Sequence, residues 1–100
     1  MGRPDRARRK EPLRQFRSRQ HSAARSRLGL SADQLKSLLE YLDRCLEGAP
    51  CDRSLRLTNA WAARMGPQPE RLAVALAHFG GYCDCEVLAT VTPDQFGWPD

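Results

Sequence analysis

A stripe of five leucines with its own start and stop constrains this chain most. Leu35, Leu38, Leu39, Leu42 and Leu46 fall at i, i+3, i+4, i+7 and i+11, one face of a 3.6-residue period. Ahead of them Ser31-Ala32-Asp33-Gln34 fits a capping box, the Ser31 hydroxyl accepting from the Gln34 amide while the Gln34 side chain reaches back. Leu30 and Leu35 are spaced for a hydrophobic staple, and Gly48 with Pro50 behind it stops the helix. Cys45 lies on the margin of the stripe and reads as a small buried apolar residue.

The rest of the chain has to cover that stripe. A second helix is expected from about Arg53 to Met65, with Asp52 as N-cap, Leu55, Thr58, Trp61, Ala62 and Met65 on one face, and Gly66 ending it. Leu55-Arg56-Leu57-Thr58 also alternates like a strand, so the first turn is the weak part. Pro67 and Pro69 force a break, and Pro69 suits the first turn of a third helix, Glu70 to Phe79, with Leu72, Ala75, Leu76 and Phe79 inward. Beyond Gly80, Glu86-Val87-Leu88-Ala89-Thr90-Val91 is rich in β-branched residues and reads as a short strand or an extended segment on the helices. The expected fold is mainly α: a compact cluster of three helices around Leu39, Leu42, Trp61, Leu72, Leu76 and Phe79, with a short extended C-terminal segment and a basic N-terminal arm.

Charge divides the chain. The first 27 residues hold ten Arg or Lys against two acids, while residues 28 to 100 carry a net charge of −4. Only Leu13 and Phe16 are large apolar residues in that stretch, so 1–27 is read as a mobile or marginally helical arm, 28–92 as the helical domain and 93–100 as an irregular tail from which Phe96 and Trp98 can dock. Arg8, Arg9, Lys10, Arg14, Arg17 and Arg19 are the candidate phosphate contacts of an arm that binds nucleic acid or an acidic protein by charge. A solubilising extension is the plain alternative, and one Phe among the arginines gives the arm little means of stacking on bases. His21, within this stretch, suggests no chemistry.

No apolar run approaches the ~20 residues of a membrane span and no apolar segment follows the basic start. A cytoplasmic protein is therefore expected, with an organellar transit peptide as the Arg-rich alternative; Arg6 stands where myristoylation wants Ser or Thr. In the cytoplasm four cysteines are reduced thiols or metal ligands sooner than disulfides.

The densest chemistry is Gly80-Gly81-Tyr82-Cys83-Asp84-Cys85-Glu86-Val87-Leu88. Structural zinc takes four Cys or His ligands, commonly from two short clusters that the fold unites. Cys83 and Cys85 form one cluster; Cys51, at the mouth of the second helix where the dipole favours thiolate, is the candidate for the other. His78, Cys45, Glu86 or water could complete the set. Two further readings of the cysteines stay open: a redox pair at Cys83 and Cys85, and plain structural thiols. His78 is explained equally by the carbonyls of a helix C-terminus. No catalytic residues are assigned: only His78 in the body could serve a Cys nucleophile as base, Asp84 and Glu86 read as solvated or capping acids, and no phosphate loop, Ser elbow or metalloprotease helix is present.

Cys51-Asp52-x-Ser54-Leu55-Arg56-Leu57-Thr58, Trp61 and the Gly80 to Leu88 block together resemble a family of small bacterial proteins known only as a domain of unknown function, over about residues 30 to 92. The resemblance brings no activity. It implies a Cys-x-His paired with a Cys-x-Cys, His commonly standing two residues after the first cysteine. Here that position is Arg53, so a fourth ligand is missing from this member. The reading at this point is a small interaction domain with a candidate zinc site at Cys51, Cys83, Cys85 and His78 and a basic arm; a thiol redox protein is the alternative.

Overall fold

The computed structural model describes residues 17–99. Five helices and a 3-10 turn make up the described residues, with no strand among them. They are α1 (helical over 17–28), α2 (Ala32–Gly48), α3 (Arg56–Met65), α4 (Pro69–His78), α5 (Asp84–Thr90) and the 3-10 turn Pro93–Phe96. None is long and apolar enough to cross a membrane.

The leucine stripe makes α2 the centre. The capping box forms as read, the Gln34 amide donating to Ser31 Oγ at 3.1 Å and the Ser31 amide to Gln34 Oε1 at 2.8 Å. Leu35, Leu38 and Leu42 are fully buried, and Leu39 and Leu46 pack on the edge of the same core. Helix α2 packs on α3, α5 and the 3-10 turn, and α3 in turn on α4 and α5. Trp61 lies in the core with its one polar atom satisfied, Nε1 donating to Ser37 Oγ at 3.1 Å.

Four expectations need correction. The three expected helices are α2, α3 and α4, and α1 and α5 add two more. The extended segment expected at 86–91 is α5. No strand lies among the described residues to take its backbone hydrogen bonds, whereas a helix satisfies its own. The i, i+4 spacing of Val87 and Val91 then buries both against α2, and Thr90 Oγ1 donates back to the Glu86 carbonyl at 2.6 Å. The second helix begins at Arg56, not Arg53, because Arg53 has φ +67, a left-handed backbone that cannot start a right-handed helix. Asp52 instead closes a turn, its Oδ1 accepting from the Ser54 amide at 3.0 Å and Ser54 Oγ at 2.6 Å. Met65, expected inward, is 50% exposed at the end of α3.

Helix α1 and the 3-10 turn meet across the core. Leu28 is in the core at the end of α1, as is Phe96 of the 3-10 turn, and Arg25 Nε donates to the Phe96 carbonyl at 2.7 Å. Phe96 lies between Phe79, which it meets edge to face, and Trp98, with ring centroids 5.1 and 5.2 Å away.

Candidate metal centre

The junction between α4 and α5 sets the site. Gly80 has φ +89, a conformation open to glycine, and turns the chain out of α4. Gly81 is packed so closely that a Cβ would lie 2.8 Å from Val87 Cγ2 and 3.3 Å from the Leu76 carbonyl oxygen. The chain therefore doubles back tightly, and α5 starts with Cys83 as N-cap, Asp84 in its first turn and Cys85 behind it.

Asp84 does the joining. It is 1% exposed, and its carboxylate accepts from the amides of Leu57 and Thr58 at 3.0 Å each and from Thr58 Oγ1 at 2.7 Å. Helix α3 has no side-chain cap from its own N-cap residue, Leu55, so Asp84 satisfies those orphan amides from across the molecule. Its own amide donates to the Ser54 carbonyl at 3.0 Å. Segments 51–58 and 83–85 are thus tied by four hydrogen bonds, and the cysteines at their ends arrive together.

Sγ of Cys51, Cys83 and Cys85 all lie within 4.8 Å of one another, the Cys83–Cys85 pair at 3.3 Å. All are free thiols; Cys83 is buried, Cys51 half-buried and Cys85 exposed. A Zn–S bond of about 2.3 Å sets tetrahedral sulfurs about 3.8 Å apart, a separation inside the observed range. The set is also chemically suited, since thiolates favour zinc and other soft ions over magnesium or calcium.

Charge is uneven across the three. The Cys85 amide, and the Arg53 amide that donates to Cys51 Sγ at 3.3 Å, hold the Cys51 thiol below its ordinary value; the neighbouring thiols add to this. This support comes from loop amides, not from a helix dipole, because α3 starts five residues further on than Cys51. At Cys83 the Glu86 amide pulls downward, but the Cys85 thiol, burial, Cys51 and the Glu86 carboxylate together push it up to about 12. Without a metal, Cys51 is the more readily ionised of the two and Cys83 keeps its proton.

The other residues considered for the site stand elsewhere. His78 is exposed at the end of α4, its Nδ1 3.5 Å from Arg27 Nη1, and is outside the sulfur group. Cys45 is half-buried on α2 and lines a concavity with Tyr41, Trp61 and Arg64. Glu86 is exposed in the first turn of α5 and is not one of the three grouped ligands. Arg17 and Arg19 are exposed on α1; Arg8, Arg9, Lys10 and Arg14 lie outside the described residues. Asp84, read from the sequence as a solvated or local capping acid, is a buried long-range cap. Thr58 was the available signal, because a hydroxyl on the inward face of a helix needs a buried acceptor.

Residues 38–90 match the family described as Protein of unknown function (DUF2695). The chain is 38% identical over 91 residues to Uncharacterized protein Rv2271 of Mycobacterium tuberculosis and to Uncharacterized protein Mb2294 of Mycobacterium bovis, covering 91% of this chain and 92% of each relative. No solved structure matches at a significant level.

Proposed function

The chain belongs to the DUF2695 family, and we propose that it is a metal-binding helical domain whose Cys51, Cys83 and Cys85 hold one thiophilic divalent ion, zinc first. The observation that carries this reading is the meeting of three reduced sulfurs from two distant segments within 4.8 Å. Three protein ligands leave one position for water, Glu86 or an outside donor, as in zinc sites that are not closed by four side chains. Bound there, the ion supplies positive charge for the thiolates and a second link between the two segments that Asp84 already ties. Its role in this reading is structural, in a domain small enough to gain from a staple.

Metal requires all three sulfurs deprotonated, so binding releases the proton that Cys83 keeps, and affinity falls as pH is lowered. The test is metal analysis of protein purified without chelator, together with thiol titration under denaturation. One zinc per chain, lost in Cys51→Ser and in Cys83→Ser, is the expected result. A metal-free protein with every thiol titrating freely would refute the reading. A metal-free protein with two thiols missing until reductant is added would replace it with the Cys83–Cys85 redox pair.

A further inference from the structure

The surface between α1 and α4 combines positive charge with exposed apolar groups in a way that the metal reading does not use. Arg27, at the end of α1, and Arg71, on α4, line the same concavity of about 410 Å³ together with Val74, His78 and Tyr82. The two arginines also line an adjoining concavity of about 380 Å³ that runs past Pro67 and Gln68. Neither depression has an Asp or Glu in its lining. Among the described residues the one ion pair is Arg56–Asp52, on another part of the molecule. Arg27 has the His78 ring, not a carboxylate, beside its guanidinium, at 3.5 Å.

The apolar part is equally unusual. Tyr82 is 67% exposed and Val74 75%, while the other aromatic rings nearby, Phe79 and Phe96, pack into the body. Tyr82 therefore contributes little to the core. An exposed ring sharing a concavity with two guanidiniums is a combination that binds single-stranded nucleic acid: charge follows the phosphates and a ring offers a face to a base. Duplex is a poorer match, because its bases are already stacked and Tyr82 would have no partner.

We propose that the α1–α4 face binds single-stranded nucleic acid, with Arg27 and Arg71 on successive phosphates and Tyr82 stacked on a base. This occupant fits better than an acidic protein surface because charge alone would not employ Tyr82. Its residues are not among the arm candidates Arg8, Arg9, Lys10, Arg14, Arg17 and Arg19, and it uses none of the three sulfurs.

The test uses the full chain and fluorescence anisotropy with a labelled single-stranded RNA of mixed sequence and the DNA of the same sequence, over a range of salt. Arg71→Ala should lower the slope of log affinity against log salt by roughly 0.7, the value of one phosphate contact on a single strand. Arg71→Lys should restore it. Tyr82→Ala should weaken binding about tenfold at any salt, as loss of one base stack does, with the slope unchanged. Thermal melts matching the parent would show that these exposed substitutions leave the fold intact. Binding unchanged by both alanine variants would overturn the proposal and assign any affinity to the arm. Equal competition by polyglutamate, with no effect of Tyr82→Ala, would overturn it in favour of an acidic protein partner.

Discussion

At the scale of single residues, Asp84 and Cys51 matter most. Asp84→Ala removes the acceptor of three hydrogen bonds, two of them buried, and leaves the Leu57 and Thr58 amides without a cap. It should cost about 3 kcal/mol, each orphaned buried donor being worth roughly 1–3 kcal/mol. Urea unfolding measures this, and a loss below about 1 kcal/mol would mean that the cap is replaceable by water. The thiols give a second prediction, in protein kept metal-free by chelator. Cys51 is held below its ordinary value of 9.0 and Cys83 is pushed up to about 12. Iodoacetamide at neutral pH should therefore label Cys51 ahead of Cys83, read by mass spectrometry; the reverse order would contradict the charge assignment. The signs also set a pH dependence. Cys51 adds stability as pH rises through its lowered value, in full above 9.0. Cys83 adds stability in full below 9.0 and loses it as pH rises toward about 12. Denaturant midpoints of the metal-free protein should thus fall above pH 9, and a flat profile there would show that Cys83 ionises freely in the fold.

At the scale of elements, α5 shows why a run of β-branched residues is not by itself a strand. Val87 and Val91 are one helical turn apart and both wholly buried, and the helix satisfies its backbone without a neighbour. The turn into α5 is the element that tolerates least. Gly81→Ala would drive a methyl to within 2.8 Å of Val87 Cγ2. It should cost roughly 1–3 kcal/mol by overpacking. Because it moves α5 relative to α4, it should also weaken metal binding, which competition with a chromogenic chelator would reveal. A variant as stable and as tightly metal-binding as the parent would show that the junction yields. By contrast Ser31→Ala removes a local cap on α2, worth ~1 kcal/mol, and should leave metal affinity unchanged.

At the scale of the molecule, hydrogen bonds and metal would tie the same two segments. The described core includes residues from α1 through to Phe96, and the Asp84 contacts need no ion to form. Stripping metal should therefore lower the melting temperature without abolishing far-UV helicity. At a hundredfold excess of zinc over its dissociation constant the loaded protein gains ~2.7 kcal/mol. In a domain of this size that is roughly 10 °C or more. Calorimetry with and without chelator checks it: identical melting temperatures would dismiss a stabilising ion, and a chelated chain with no helical signal would show that the core cannot stand alone.

Much of α2 and α4 was legible in the sequence because what makes them is local. A capping box, a leucine stripe, a proline in a first turn and glycines beyond an end all act over distances of a few residues. The pairing of Cys51 with Cys83 and Cys85 was visible as an expectation, since sulfurs in two short clusters suggest one site. The device that brings them together was not. Asp84 caps a helix 26 residues away in the chain, and no periodicity records which buried carboxylate will meet which orphan amide. Nor could spacing place His78 beside Arg27 instead of the thiols, or leave Tyr82 facing solvent next to two arginines. Those outcomes depend on how whole helices pack, and packing is settled by the joint burial of the core, to which each short stretch contributes only a part.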